Sequence, residues 1–245
     1  MSRYFVDPSA CSGSHIYLDD KDDIKHITNV LRMKTGVELT VSDTFEWEYT
    51  CVIEEIDKQL ITLKIVDKQK FSREPGINIT LFQGIPKGSK LDDVVRKTTE
   101  MGICGIVPVF MDRTVVKDSG TYHKKVARLR TIAKEASKQC QRGSIPEVSD
   151  SMSFDEMISA LSDYDLVIFP YENEDDKTIK DALRSLTSKP ENAAVIIGPE
   201  GGFSDNEACT IKKTNAHTVT LGSTILRTET AGIVALAMMM YELEL

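Results

Sequence analysis

The chain has 245 residues, of which 41% are hydrophobic and 28% charged, and its 30 lysines and arginines against 38 aspartates and glutamates give a net charge of −8. This composition is typical of a globular protein and excludes disordered, collagen-like and low-complexity chains. The longest uncharged apolar stretch, 231–241, is too short to span a membrane, and the N-terminal residues lack the apolar core of a signal peptide. We therefore expect a cytoplasmic protein with no membrane partner.

Cysteine and histidine usage argues against a metal site. The five cysteines are widely spaced and form no C-x-x-C pair, and none of the four histidines has a second histidine at metalloprotease spacing. Zinc sites in proteins need such clustered ligands. We expect reduced thiols, and we predict that no metal serves as a cofactor.

Charge is distributed unevenly along the chain. Residues 71–150 carry 14 basic against 9 acidic side chains, whereas residues 1–70 carry 9 against 13 and residues 151–245 carry 7 against 16. A basic segment in an acidic chain is typical either of a surface that faces nucleic-acid phosphates or of a solvated helix face. If phosphates bind there, the affinity should fall as the salt concentration rises.

The first part of the chain consists of short β-rich runs. These runs are Glu38–Val41, Trp47–Ile56 and Leu60–Val66, with one helical stretch near Asp22–Arg32. The polar segment Asp67–Gly76 contains a Pro-Gly pair and is typical of a linker. We predict a small β-barrel domain at residues 1–72 and a second domain at residues 73–245.

Strand-like and helix-like segments alternate beyond the linker. The predicted strands are Ile77–Gln83, Gly105–Phe110, Leu166–Pro170, Ala194–Gly198 and Thr218–Leu221. The predicted helices are Leu91–Met101, Tyr122–Gln141, Phe154–Leu161, Lys177–Leu186, Ser204–Lys213 and Thr228–Glu242. This alternation predicts an α/β domain whose parallel sheet is covered by helices on both faces. Ligands of such sheets bind beyond the carboxyl ends of the strands.

One of these carboxyl ends carries a glycine-rich turn. The stretch V-I-I-G-P-E-G-G-F-S (195–204) is an apolar strand that runs into three glycines and a proline, and Ser204 and Glu207 stand at capping-box spacing for the next helix. Glycines let a loop bring its backbone N–H and C=O groups close to a ligand. The loop lacks the lysine of a P-loop and the G-x-G-x-x-G pattern. It is interpreted either as a ligand-binding loop or as a tight strand-to-helix turn.

A second loop follows a later strand and also leads into a helix. This stretch is L-G-S-T-I-L-R-T-E-T-A (221–231). Thr228 can cap the helix and Glu229 complements its dipole, and capping alone would explain both residues. Capping does not explain the apolar Ile225 and Leu226, which are suited to wall an aromatic base. Two ligand-ready loops after two strands predict one shared pocket.

A third segment, E-A-S-K-Q-C-Q-R (135–142), ends the long helix of the basic region. Glu135, Gln139 and Arg142 follow i, i+4 and i+7 spacing, so we predict that they project from one face with Arg142 at the helix end. Such a polar stripe is typical either of an exposed helix face or of a functional site.

Together these segments resemble the RsmE family, the small-subunit (16S) rRNA uridine N3-methyltransferases of the SPOUT class. The resemblance follows the family order over nearly the whole chain. The matching stretches are H-I-T-N-V-L-R-M-K-T-G (26–36), K-G-S-K-L-D-D-V-V-R-K-T-T-E-M-G (87–102), E-A-S-K-Q-C-Q-R (135–142), I-G-P-E-G-G (197–202) and L-G-S-T-I-L-R-T-E-T-A (221–231).

This resemblance implies an α/β fold in which a PUA-like β-barrel domain that holds RNA precedes a SPOUT-like parallel-sheet methyltransferase domain with a trefoil knot. It also implies a homodimer that acts on small-subunit ribosomal RNA, with S-adenosylmethionine (SAM) as the cofactor bound in the knot. The residues that the resemblance assigns to the cofactor are Phe169, Pro170, Glu172, Ile197, Gly198, Pro199, Glu200, Gly201, Leu221, Gly222, Ile225, Leu226 and Arg227.

The implied reaction requires activation of the N3 atom of the uracil ring. The N3 atom becomes a good nucleophile only as its proton leaves and negative charge spreads onto the flanking carbonyl oxygens. We hypothesise that Arg142 stabilises this charge, and that Glu229, or else Glu200, accepts the proton or orients the methyl donor. The target uridine has to be unpaired or flipped out of its helix. The predicted phosphate contacts are Arg3, Arg32, Lys87, Lys90, Lys97 and Arg113.

Three alternatives stay open. Cofactor motifs do not choose the substrate, so another SPOUT-class methyltransferase that modifies a different rRNA base or transfer RNA fits the same residues. A non-catalytic RNA-binding module is the second alternative. A nucleotide-phosphate enzyme that uses the glycine loop is the third, and the absent P-loop lysine weakens it.

Overall fold

A computed structural model describes residues 2–117 and 120–244. The contacts divide the chain into two compact units. The first comprises the residues up to Glu74 together with Ser137–Ile145, and the second comprises Pro75–Ala136 together with the residues from Pro146 onward. The two-domain division predicted between residues 72 and 73 stays a prediction, and the grouping of Ser137–Ile145 with the first unit departs from it.

The first unit consists mainly of short strands. Its elements are β1 (Arg3–Phe5), a 3₁₀ turn (Pro8–Ala10), β2 (Cys11–Ser12), β3 (His15–Leu18), α1 (Lys21–Lys25), a π-helical turn (His26–Val30), β4 (Glu38–Ser42), β5 (Trp47–Ile56) and β6 (Ile61–Lys70). The strands of this unit pair in the order β1-β4-β5-β6-β3-β2, with β1 and β4 parallel and the other neighbours antiparallel. The small β-rich domain predicted from the sequence is therefore confirmed.

Alternation along the strands builds the core of the first unit. Tyr49, Cys51 and Ile53 of β5 point to the buried side and pack against residues such as Leu39 and Leu63 of the neighbouring strands. The helix predicted near Asp22–Arg32 is shorter than expected. It ends at Lys25, where the π-helical turn begins, and Arg32 beyond that turn has a φ of +50°, which no helical residue adopts.

Glu74 holds the segment Ser137–Ile145 within the first unit. Its Oε1 accepts hydrogen bonds from the backbone N–H groups of Gly143 and Ser144 at 2.8 and 3.1 Å. Its Oε2 accepts hydrogen bonds from Arg142 Nη2 and from the Ser144 hydroxyl, both at 2.7 Å. Burial by itself would raise the pKa of Glu74, but the hydrogen bonds and charge of Arg142 and the hydrogen bonds of Ser144 outweigh it and hold the pKa below 4.5.

This lowered pKa predicts how stability depends on pH. A carboxyl with a depressed pKa in the folded state stabilises the fold above its unfolded pKa of about 4.5, and the contribution is lost as the pH falls through the folded pKa. We expect Glu74→Gln to cost about 2 kcal/mol of unfolding free energy at neutral pH. Urea unfolding should show this difference shrinking as the pH falls below about 4.5; a difference that stays constant with pH would contradict the assignment.

The second unit alternates strands and helices. Its elements are β7 (Asn78–Gly84), α2 (Lys90–Glu100), β8 (Gly105–Phe110), α3 (Tyr122–Cys140, whose last residues group with the first unit), β9 (Glu147–Val148), β10 (Met152–Ser153), α4 (Phe154–Ala160), a 3₁₀ turn (Leu161–Asp163), β11 (Leu166–Pro170), α5 (Ile179–Arg184), β12 (Asn192–Ile197), α6 (Asp205–Lys212), β13 (His217–Val219) and α7 (Thr228–Glu244).

The strands of this unit form one parallel sheet. Their order is β10-β8-β7-β12-β11-β13, and β9 also pairs with β8. Nearly every residue of β8, β11 and β12 is buried, as a parallel sheet covered on both faces requires. Phe82, Phe169 and Ile196 lie in the core cluster beneath α4 and α6. The predicted α/β domain with a parallel sheet is confirmed.

The chain returns across this sheet before its last helix. After β13, at the edge next to β11, residue Thr220 donates its N–H to the carbonyl of Lys177 at 2.7 Å. The chain then runs back to the ends of β7 and β12, where α7 begins. There the buried Thr228 hydroxyl accepts a hydrogen bond from Gln83 Nε2 at 2.8 Å and donates one to the carbonyl of Gly198 at 2.5 Å. This crossing fits the trefoil knot that the resemblance implies.

Within residues 2–117 and 120–244, membrane-spanning helices and metal-binding clusters are both absent. None of the helices there combines the length and the apolar character that crossing a bilayer needs. Within the same ranges, no three His, Cys, Asp or Glu side chains are grouped so as to hold a metal ion.

Candidate functional site

A cavity of about 470 Å³ lies at the carboxyl ends of the strands of the second unit. Three loops line it, and these loops follow β11, β12 and β13; the side chain of Lys90 from the start of α2 completes the wall. Both sequence stretches predicted to share a pocket, 195–204 and 221–231, therefore contribute to one cavity. The described lining residues are Lys90, Pro170, Tyr171, Glu172, Asp175, Ile197, Gly198, Pro199, Glu200, Gly202, Phe203, Thr220, Leu221, Gly222, Ser223, Thr224, Ile225, Leu226, Arg227, Thr228, Glu229 and Ala231.

The glycine-rich loop after β12 is folded tightly. Gly202 donates its N–H to the carbonyl of Pro199 at 2.9 Å and has a φ of +68°, which a residue with a side chain rarely adopts. A Cβ on Gly198 would lie 3.0 Å from the Phe203 ring. Ser204 and Glu207 form the predicted capping box at the start of α6. The glycines thus bring the backbone to the edge of the cavity.

The loop after β13 combines a strained turn with apolar side chains. Gly222 has a φ of +123°, and the Thr220 hydroxyl donates a hydrogen bond to its carbonyl at 3.2 Å. Ile225 keeps 84% of its surface exposed although it lines the cavity. An exposed isoleucine in a cavity wall is available to contact an apolar part of a ligand.

Thr228 does not act as the helix cap that the sequence predicted. The carbonyl of Arg227 accepts the first helical hydrogen bonds, from Thr230 and Ala231, so Arg227 occupies the capping position. The Thr228 hydroxyl instead bridges Gln83 and Gly198, and therefore connects the end of β7 to the glycine loop. The sequence alone did not indicate this bridge, because its partners lie 145 and 30 residues away.

Lys90 connects two carboxylates at the cavity. Its Nζ lies 2.9 Å from Glu200 Oε1 and 3.6 Å from Glu229 Oε2, and the backbone N–H of Lys87 also donates to Glu200 Oε1 at 3.0 Å. The Glu200 hydrogen bond raises the pKa of Lys90. Burial by itself would raise the pKa of Glu200. The hydrogen bonds from the Lys90 side chain and the Lys87 backbone outweigh this effect, so the pKa of Glu200 is lowered. Lys90 was predicted to contact RNA phosphate; in the structure it pairs with carboxylates of the cavity, and its contact with RNA stays a prediction.

Two further carboxylates, Glu172 and Asp175, stand in the loop after β11. Within the described part of the chain neither forms an ion pair. The Glu172 carboxylate lies against the glycine loop, since a Cβ on Gly202 would be 3.1 Å from its Oε1. Asp175 was not among the predicted site residues, because nothing in its local sequence distinguishes it from the acidic residues beside it.

Most residues assigned to the cofactor by resemblance line the cavity. The exceptions are Phe169 and Gly201. Phe169 is fully buried beneath the cavity wall, stacked on Tyr171 at 5.3 Å and edge-on to Phe203 at 4.9 Å between ring centroids. The carbonyl of Gly201 accepts a hydrogen bond from Arg113 Nη1 at 2.9 Å. The role of all thirteen residues in cofactor binding stays a prediction.

Arg142 lies elsewhere than the sequence spacing predicted. The helix ends at Cys140 and Gln141 has a φ of +60°, so Arg142 leaves the helical repeat. Glu135 and Gln139 are exposed, whereas Arg142 is 5% exposed and bonded to Glu74. The three side chains therefore do not share one face, and Arg142 is not among the described residues that line the cavity. Its catalytic role stays a prediction.

The residues predicted to contact RNA differ in their exposure. Arg3 is 8% exposed, pairs with Glu48 and donates to the carbonyl of Arg142 at 2.9 Å, so it stabilises the first unit internally and the structure does not present it to phosphate. The remaining exposed members of the set are Arg32 in the first unit and Lys87, Lys97 and Arg113 in the second. Their contact with RNA stays a prediction.

Comparison with known proteins identifies the family. Residues 73–240 match the family described as RNA methyltransferase domain, and residues 18–66 match the RNA methyltransferase PUA domain. The ribosomal RNA small subunit methyltransferase E of Bacillus subtilis (strain 168) is 30% identical over 251 residues, which cover 100% of this chain and 98% of that protein.

Solved structures agree in fold. The ribosomal RNA small subunit methyltransferase E from Neisseria gonorrhoeae, bound to S-adenosyl methionine, is 27% identical with a TM-score of 0.86, covering 99% of this chain and 98% of that one. A methyltransferase from Legionella pneumophila in complex with SAM is 31% identical with a TM-score of 0.85, covering 98% and 97%. The architecture is therefore that of a PUA-like domain followed by a SPOUT-like domain, and the chain belongs to the ribosomal RNA small subunit methyltransferase E family.

Proposed function

We propose that this protein transfers the methyl group of SAM to the N3 atom of a uridine in small-subunit ribosomal RNA. The observation that carries the proposal is the cavity, in which three loops after parallel strands bring backbone groups, apolar side chains and carboxylates together. The names of the relatives support the substrate class, and the SAM held by two structural neighbours supports the cofactor.

The residues of the cavity suit SAM. A volume of about 470 Å³ lies within the usual range for small-molecule sites. Ile225 and Leu226 offer apolar surface to an adenine ring, and the strained backbone at Gly202 and Gly222 presents polar groups without side chains. Glu229 Oε2 is buried, lies 3.6 Å from Lys90 Nζ and makes no hydrogen bond with the described residues, so its hydrogen-bonding capacity is not used within the described part of the chain.

SAM supplies, when bound, a methyl group on a positively charged sulfur. The protein has to hold the uracil in place and remove the N3 proton. Glu229 is suited to accept this proton because its side chain lines the cavity and its Oε2 meets Lys90 only at 3.6 Å, without a hydrogen bond, whereas Glu200 already accepts hydrogen bonds from Lys87 and Lys90. We assign to Arg142 the stabilisation of negative charge on the uracil carbonyl oxygens.

RNA binding and assembly complete the proposal. Arg32, Lys87, Lys97 and Arg113 contact phosphates and set the register of the RNA. The protein works as a homodimer, and the exposed apolar side chains of α7, including Met238 at 39% and Tyr241 at 67% exposure, support such an interface. A ribosomal RNA substrate supports a cytoplasmic location.

Modification mapping tests the proposal. The protein is incubated with labelled SAM and small ribosomal subunits that lack the modification, and the RNA is digested and analysed by mass spectrometry. We expect one methylated uridine with the methyl group on N3. Methylation of another base or of transfer RNA would indicate a different SPOUT-class substrate. Calorimetry that detects no SAM binding would instead indicate a non-catalytic RNA-binding module.

A further inference from the structure

The side chains around the cavity carry more negative than positive charge. Within the described lining, four side chains are carboxylates and two are cations. The carboxylates are Glu172, Asp175, Glu200 and Glu229, and the cations are Lys90 and Arg227. The surrounding sequence adds to this field, because residues 151–245 hold 16 acidic against 7 basic side chains. The cavity is therefore electrostatically suited to a cation.

The four carboxylates differ in whether a positively charged side chain lies beside them. Lys90 lies 2.9 Å from Glu200 and 3.6 Å from Glu229, so its single positive charge offsets part of the negative charge of that pair. Glu172 and Asp175 have no ion-pair partner among residues 2–117 and 120–244. Both belong to the loop after β11, and Glu172 lies against Gly202 of the glycine loop. Among the four, these two residues are therefore the carboxylates that no described cation pairs with.

Methyl transfer changes the charge of the ligand. A base takes the N3 proton, the electron pair left on N3 forms the new N–C bond, and the electron pair of the broken C–S bond stays on sulfur. The sulfonium thereby becomes an uncharged thioether, S-adenosylhomocysteine. The substrate and product forms of the ligand therefore differ by one methyl group and one positive charge.

We infer that the cavity selects its ligand by charge, with Glu172 and Asp175 as the specificity residues that favour SAM over S-adenosylhomocysteine. This inference rests on the proposed function and extends it to product release. An uncompensated carboxylate in a partly solvated cavity changes the affinity for a cation by about threefold to tenfold. The demethylated product loses this attraction and leaves the cavity more readily than the donor.

Calorimetric titration of the full chain with three ligands tests the inference. The ligands are SAM, S-adenosylhomocysteine and sinefungin, in which a carbon bearing an ammonium group replaces the sulfonium. We expect Glu172→Gln and Asp175→Asn each to weaken binding of SAM and sinefungin about fivefold and binding of S-adenosylhomocysteine less than about twofold. Raising the KCl concentration should reduce the preference for the two charged ligands.

A matched control lies next to the site. Asp176→Asn removes the same charge one residue from Asp175, outside the described lining, and is expected to change each affinity less than about twofold. Glu172→Asp keeps the charge and should keep the preference for SAM. Thermal melting curves identify any variant that fails to fold, in which case the Asp175 variant and the salt dependence carry the test.

The outcomes separate this inference from the proposed function. If the variants weaken all three ligands equally, Glu172 and Asp175 contact a group that the ligands share, and charge selection is overturned while SAM binding stands. Unchanged affinities in both variants would overturn it as well. If the wild-type protein binds none of the three ligands, the proposed function itself fails.

Discussion

Replacement of Glu229 by glutamine is expected to slow methyl transfer about 10²-fold to 10³-fold, while the affinity for SAM changes less than about fivefold. Glutamine keeps the shape of the side chain but cannot accept the N3 proton. Glu229 lies in the first turn of α7 on the cavity wall, with a buried oxygen that has no hydrogen-bond partner among the described residues. Single-turnover transfer from labelled SAM and calorimetric binding measure the two quantities separately.

Glu200→Gln provides the comparison, because Glu200 also lines the cavity and also pairs with Lys90. Its Oε1 already accepts hydrogen bonds from Lys87 and Lys90, so this carboxylate stabilises the loop. We expect Glu200→Gln to lower the transfer rate about tenfold at most, with a lower melting temperature. A reversed order, with the larger loss of transfer in Glu200→Gln, would make Glu200 the acceptor. Rapid transfer in both variants would contradict both assignments.

Arg142→Lys is expected to lower the rate of methyl transfer about 10²-fold and to leave SAM affinity within about twofold of the wild type. Lysine keeps the positive charge but loses the planar fork of donors that stabilises charge spread over a carbonyl. SAM affinity should be spared because Arg142 is not among the described lining residues. Equal losses in transfer and in SAM affinity would count against the catalytic assignment.

Glu74→Gln separates a catalytic role of Arg142 from a structural one. Arg142 bonds to Glu74 in the first unit, so a change in either residue disturbs the same contacts. If Arg142 only stabilises the fold, Glu74→Gln and Arg142→Lys should lose transfer activity equally. If Arg142 acts on the uracil, Arg142→Lys should lose far more activity than Glu74→Gln at equal stability, measured by urea unfolding.

The longer strands of the second unit were the most predictable elements. The predicted bounds of β8 and β11 agree with the structure, and β7 and β12 differ by one or two residues at their ends. These strands are almost entirely buried, so their sequences are continuous apolar runs, and such runs can be recognised without a structure. The short strands β1, β2 and β3 of the first unit and β9 and β10 of the second were not predicted, because two to four residues show too little alternation to be recognised.

The two loops of the candidate site were predictable because their residues are unusual where they stand. Glycines after a strand and apolar residues within a loop both favour a ligand-binding loop, even without a structure. The pairing of Lys90 with two carboxylates and the position of Asp175 at the cavity were not predicted. A charged residue near a helix start or in an acidic loop has the same local signature whether it contacts RNA, solvent or a cavity.

By itself the sequence determined the class of the fold, the two loops that form the cavity and, through the resemblance, the family. These features depend on backbone preference and on apolar periodicity, which act over a few residues. Only the tertiary structure decided which charges meet: Lys90 with Glu200 and Glu229, and Arg142 with Glu74. It also decided that Glu172 and Asp175 line the cavity without an ion-pair partner in the described part of the chain. Electrostatic interactions act through space between residues far apart in the chain, so no local pattern encodes them.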